Sequence, residues 1–238
     1  MAPHRVTTRR LDGPAPERAT AWFRSPRRSL EGWGVAVVVD LPAPWPDHVG
    51  QVGEALAAME VDDQVGLPGC GPVAVASLPF RRDAPARFVV PAVVVGTSSD
   101  GERWLTSVDG AVVSGPDRAS ATDVGDHAAA SASGSPSELG IRSSVDAGVW
   151  CGRVATATER IRAGELTKVV LAREVTVTAD RVWDPVTVGE RLAGAHPHSL
   201  RFCVDGHVGA SPALLVSRIG DVVRAQPMAG TTPRTGEP

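Results

Sequence analysis

The chain has 238 residues, 42% hydrophobic and 21% charged, with a formal net charge of -3, enough for one large globular domain or two small ones. The slight acidity argues against a general nucleic-acid binder, which would carry a basic balance. The longest apolar runs, Val35–Val39 and Phe88–Val95, fall far short of the roughly 20 residues that span a bilayer.

Residues 1 to 30 are rich in arginine and proline and read as a solvated or frayed terminus. No apolar h-region follows the first arginines, so the segment is not a secretory signal and a cytoplasmic protein is the default. From Gly34 onward, short β-branched runs alternate with turn signals. Val35–Val39 reads as a strand and Val52–Met59 as a short helix. Val73–Leu78, Phe88–Val95 and Trp104–Val108 read as strands separated by Pro, Gly and Asp. Residues 114–144 are rich in Ser, Ala, Asp and Gly without a sustained apolar period, the composition of a linker or long surface loop. This divides the chain into an N-terminal α/β region, 1–113, and a second region, 145–238.

In the second region, Val149 to Ile161 reads as a helix, with Val149, Val154, Ala157 and Ile161 near one face and Gly164 as its stop signal. Leu166–Val177 then reads as a strand, Val186–Ala193 as a helix and Leu200–Val204 as a strand. Val208–Ser217 and Val222–Ala225 read as further strand material. The three cysteines, Cys70, Cys151 and Cys203, are widely spaced and odd in number, so they suggest neither a disulfide framework nor a C-x-x-C site. His196 and His198 flank Pro197, but a metal site needs more ligands than these two.

The basic residues are uneven. Of 24 Lys and Arg residues, 23 are arginine and one, Lys168, is lysine. Arginine replaces lysine wherever a fixed charge suffices, but not where a neutral amine must take a proton. On a strand, Lys168, Val170 and Ala172 share one face. Apolar neighbours would partly desolvate the amine, lower its pKa and let it serve as a base. The bland alternative is an edge-strand lysine that discourages aggregation.

Lys168-Val169-Val170-Leu171-Ala172-Arg173 resembles the "KVVLxR" signature of isochorismate synthases among the chorismate-utilising enzymes. Gly209-Ala210-Ser211-Pro212-Ala213-Leu214-Leu215 resembles their "GASPELL" stretch, and Pro227-Met228-Ala229-Gly230-Thr231-Thr232-Pro233-Arg234 their "PLAGTxxR" turn. Ser77-Leu78-Pro79-Phe80 resembles an "LPF" segment of their N-terminal regions. The resemblance implies an α+β fold: the N-terminal part of the chorismate-utilising enzyme fold, a large β-sheet core with helices packed outside. Residues 145–238 would begin its chorismate-binding catalytic region. It also implies that Lys168 removes a proton from water as the water attacks C2 of chorismate, where ammonia-using relatives typically carry glutamine. Gly230 and Thr231 would help hold the substrate.

Two departures limit that expectation. The family's general acid, the glutamate of "SPE", is Ala213 here, and losing a positioned acid costs about 10²–10⁴-fold in rate. Family members also continue past the "AGT" turn, where their Mg²⁺-binding glutamates lie. The resemblance therefore implies Mg²⁺ as cofactor with its ligands outside this chain. The expected protein is a truncated isochorismate synthase-like chain, inactive alone, binding chorismate weakly or not at all, with a separate C-terminal fragment as candidate partner. The rival readings are a non-enzymatic remnant or partner-binding fragment and, within the family, a salicylate synthase. The family reaction feeds siderophore, salicylate or menaquinone pathways, and the sequence does not choose among them.

Overall fold

The computed structural model describes residues 3–16, 18–26, 28–111 and 138–230. The chain divides into two units, residues 1–124 with 185–238, and residues 125–184. Residues 185–238 thus group with the N-terminal region, a different division from the one the low-complexity stretch suggests.

The N-terminal residues are structured, contrary to the frayed terminus expected. β1 (Arg5–Arg10), β2 (Ala21–Arg24) and β3 (Ser29–Trp33) are strands of an eight-stranded sheet. In β1 the inward positions are Val6 and Thr8, both 0% exposed. The arginines between and beside them face acidic partners: Arg5 to Glu60 at 3.2 Å, Arg9 to Asp62 at 2.7 Å and Arg10 to Glu102 at 2.6 Å. The arginine content hides a period-2 pattern whose buried half, Val6 and Thr8, is only two residues long.

β4 (Val37–Leu41) is followed by a short 3-10 helix at Trp45–His48, α1 (Gly50–Ala57) and β5 (Glu60–Asp63). Next come β6 (Val75–Ala76), β7 (Ala86–Val90), β8 (Val93–Thr97) and β9 (Arg103–Val108). The single strand expected over Phe88–Val95 is two strands in two different sheets. The break is at Pro91, which supplies no N–H for a ladder. β7 joins the three-stranded sheet β4-β7-β6, while β8 lies inside the eight-stranded one.

The C-terminal part of this unit contributes α3 (Pro185–Ala195), β12 (Leu200–Val204) and β13 (His207–Ser211). With them the large sheet runs β13-β12-β2-β3-β8-β9-β1-β5, antiparallel except for the parallel pair β1–β5. One apolar cluster, Ala19, Trp22, Trp33, Val93, Val95 and Cys203, joins N- and C-terminal strands. Two others, Val6 with Met59, Val90 and Val108, and Leu41 with Val52 and Ala86, lie where β1, β4, β7 and β9 meet the α1 segment. β14 (Leu214–Ile219) and β15 (Val222–Gln226) form a separate hairpin with Leu215, Val216, Val222 and Val223 exposed.

Aromatic rings fill the space above several glycines. A Cβ on Gly96 would stand 2.1 Å from the ring of Trp104, its cross-strand partner, and one on Gly189 would stand 2.3 Å from Trp22. Both tryptophans are 2% exposed, so neither ring can move without disturbing the core.

The second unit contains β10 (Leu139–Ser143), α2 (Ala147–Arg162) and β11 (Val175–Ala179). β10 falls inside the stretch expected to be a linker, and the rest of that stretch to residue 137 lies outside the described residues. β10 and β11 pair antiparallel from Leu139↔Ala179 to Ser143↔Val175. Cys70 is half-buried, Cys151 exposed and Cys203 buried. Among the described residues no helix is long and apolar enough to cross a membrane.

Two predictions concern this framework. Gly96→Ala should destabilise the chain by about 1–3 kcal/mol through overpacking against Trp104. Gly53→Ala, on α1 with nothing within 4 Å of its added methyl, should stabilise it by up to about 1 kcal/mol; urea denaturation midpoints check both signs. At the β1–β9 corner, hydrogen bonds from His4 and from the Arg5 N–H hold the Asp109 carboxyl below its ordinary range. That contribution is fully present above about pH 4 and is lost as pH falls through the lowered value. Asp109→Asn should therefore flatten the fall in stability on acidification, measured by denaturation at pH 7 and pH 3.

Candidate functional site

Lys168 lies in the second unit, in the segment that follows α2. That helix starts at the Asp146 cap, whose carboxylate accepts from the Gly148 N–H at 2.8 Å. It ends as the sequence predicts, with Gly164 at φ +77. The Gly164 N–H reaches the Ile161 carbonyl and the Glu165 N–H the Arg160 carbonyl, each at 3.0 Å. This is the two-bond C-terminal closure that a left-handed glycine permits. The Glu165 carboxylate also takes a 2.8 Å hydrogen bond from Arg160 Nε.

From there the structure departs from expectation. The strand predicted over Leu166–Val177 is regular only from Val175, and residues 166–174 carry no strand assignment. The β10–β11 ladder continues one step further, with Ser144 N–H to Glu174 O at 2.9 Å and Glu174 N–H to Ser144 Oγ at 3.0 Å. Beyond that step no described strand pairs with the segment, and a strand exists only through its partner. Lys168 is exposed, with Val169 at 41% and Val170 at 82%. The partial desolvation expected of Lys168 is therefore not supplied by the described residues. Arg173 is placed by Trp150 of α2, its guanidinium carbon 5.7 Å from the ring centroid, within cation–π range.

Ala213 lies in the first unit, in the turn between β13 and β14. Ser211 Oγ accepts from the Ala213 N–H and donates to its carbonyl, both at 3.2 Å. The backbone of the motif is thus pinned, and the half-buried methyl at 213 has no proton to give. The preceding Gly209 stands opposite Phe202, and a Cβ there would meet that ring at 2.5 Å. His207 meets the same ring edge-on at 5.1 Å. Gly230 follows β15, is exposed, and has open space around the position a Cβ would take. Thr231 lies outside the described residues. Lys168 thus belongs to one unit, Ala213 and Gly230 to the other.

Sequence reasoning missed the Trp150–Arg173 stacking and the Gly209–Phe202 pairing. The second left a signal, an aromatic and a glycine symmetrically placed across a short Asp-Gly turn. Among the described residues no three His, Cys, Asp or Glu side chains converge on a metal position, His196 and His198 included. The described residues thus do not fit the magnesium implied by the resemblance.

Residues 74–238 match the family described as chorismate binding enzyme. A protein of Aeromonas hydrophila assigned by name as an isochorismate synthase is 26% identical over 238 residues, 96% of this chain and 54% of its own. The anthranilate synthase component 1 of Aeropyrum pernix is 44% identical over 90 residues, 36% of this chain and 20% of its own. The crystal structure of a Bacillus anthracis protein assigned as a 2,3-dihydroxybenzoate-specific isochorismate synthase superposes with a TM-score of 0.57 at 25% identity. It covers 92% of this chain and 51% of that one. The chain spans about half the length, or less, of these relatives.

The closure that launches the Lys168 segment depends on the left-handed backbone at residue 164. Gly164→Ala should weaken it by about 1 kcal/mol. Hydrogen exchange at the amides of residues 164 and 165 should rise about five-fold, with the β12 amides unchanged.

Proposed function

The chain belongs to the chorismate-binding enzymes and is isochorismate synthase-like, with an α+β fold; on that premise we propose that Lys168 is the base that deprotonates water for attack on chorismate. The observation that carries this reading is that the single lysine of the chain falls within the "KVVLxR"-like stretch. Because an anthranilate synthase component also matches at 44%, family membership alone does not choose between water and ammonia. The lysine at 168 favours water. A neutral amine can take a proton from water, which the glutamine typical of the ammonia users cannot do.

In the proposed reaction, Lys168 Nζ takes a proton from water as the oxygen bonds to C2. The double bonds shift and the C4–O bond breaks, so the departing hydroxyl needs a proton. One water enters and one leaves, giving isochorismate. Ala213, at the position of the family acid, cannot supply that proton. Gly230 and Thr231 are the proposed substrate-holding turn, a role that rests on their match to the "PLAGTxxR" stretch. Mg²⁺ would in a chorismate enzyme neutralise the substrate carboxylates; among the described residues no cluster of ligands for it is present.

Exposure of Lys168 and the missing acid both point to a chain that by itself turns chorismate over slowly or not at all. A second reading, a partner-binding fragment without catalysis, is favoured by bare apolar side chains in the smaller unit, Val170 at 82% and Ile141 at 74% exposure. A salicylate synthase would go on to eliminate pyruvate from isochorismate, which product analysis detects.

With chorismate and Mg²⁺, the chain should form isochorismate at or near the background rate. In a chain extended to the length of its relatives, Ala213→Glu should raise the rate by about 10²–10⁴-fold, and adding Lys168→Ala should abolish the gain. A gain that survives Lys168→Ala would rule out the lysine as base. The absence of any gain would show that residue 213 is not the acid position.

A further inference from the structure

Lys168 sits between two attachments that both lead back to α2. On its N-terminal side, Glu165 is tied to the end of the helix by its backbone bond to Arg160 O at 3.0 Å and its side-chain bond from Arg160 Nε at 2.8 Å. On its C-terminal side, Arg173 lies over Trp150, near the helix start, at 5.7 Å. Glu174 is hydrogen-bonded in both directions to Ser144 just before the helix. The path from residue 165 to residue 173 therefore runs back along a helix of 16 residues, about 24 Å long.

We propose that residues 166–172 form a strap fastened at both ends to α2, with Trp150 and Arg173 as the positioning pair for Lys168. The segment has no ladder to fix it, so its end points carry that task. Lys168 is three residues from Glu165, which keeps its Cα within about 10 Å of that anchor. Released at Arg173, the strap would remain tethered on one side only until the Ser144–Glu174 step. The attraction of a guanidinium to the face of an indole ring is directional, which an alkyl contact at the same place would not be. Its meaning for catalysis rests on Lys168 being the base; the strap itself does not.

The single lysine makes the test specific. An endoproteinase selective for lysine has one site in this chain, after Lys168. Cleavage of the intact protein should be slower than that of a synthetic peptide spanning residues 160–176. Trp150→Leu and Arg173→Gln should each speed it about three-fold, the double variant should be no faster than either, and Trp150→Phe should keep the wild-type rate. Reductive methylation with ¹³C-formaldehyde labels only Lys168 and the α-amine. The Lys168 resonance should move in Arg173→Gln and stay in place in Trp150→Phe. Wild-type cleavage rates in both single variants, or Trp150→Phe cleaving as fast as Trp150→Leu, would overturn the strap. Should cleavage follow the prediction while Lys168→Ala leaves the turnover of the extended Ala213→Glu chain unchanged, the strap would stand and the base assignment would fall.

Discussion

The larger unit is held in register by rings that occupy the space of missing side chains. Trp22, buried on β2, stands where a side chain of Gly189 on α3 would be. That contact lets α3 close onto strands drawn from the other end of the chain. Trp104 over Gly96 does the same between β8 and β9, and Phe202 over Gly209 between β12 and β13. Each pair joins a large apolar area to a position with no tolerance for a Cβ, so burial and specificity come from one arrangement. The Ser211–Ala213 turn inherits its position from the last of these pairs.

The smaller unit is built on other forces. α2 buries no residue, and its ends are set by a capping carboxylate, a left-handed glycine and hydrogen bonds in a single turn. The Lys168 segment is fastened by a stacked cation and one backbone step. Such contacts direct a chain without excluding water from it. This explains how the proposed base can be held in place yet remain exposed, so that the position of Lys168 and its competence as a base are separate properties.

Much of the fold could be read from local signals. The strands at Trp104–Val108 and Leu200–Val204, the helix ending at Gly164 and the short α1 all follow from period and punctuation within a dozen residues. What escaped depends on partners distant in sequence. β1 reads as arginine-rich tail until Glu60, Asp62 and Glu102 are placed beside it. Phe88–Val95 reads as one strand because apolar run length outweighed Pro91. The strand predicted at Lys168 failed for the converse reason: its β-branched pattern is sound, but a ladder needs a neighbour that the described residues do not supply. At the candidate site the motif gave the residue types, while anchors such as Trp150 and Arg173 required the folded chain.

The central claim is that residue 168 directs this site to water. The most direct measurement supplies the Ala213→Glu chain, extended to the length of its relatives, with chorismate, Mg²⁺ and excess ammonium in ¹⁸O-enriched water, and identifies the product by mass. The account predicts isochorismate carrying ¹⁸O at the C2 hydroxyl, without an amino product. An amino-substituted product, or isochorismate without the label, would contradict it.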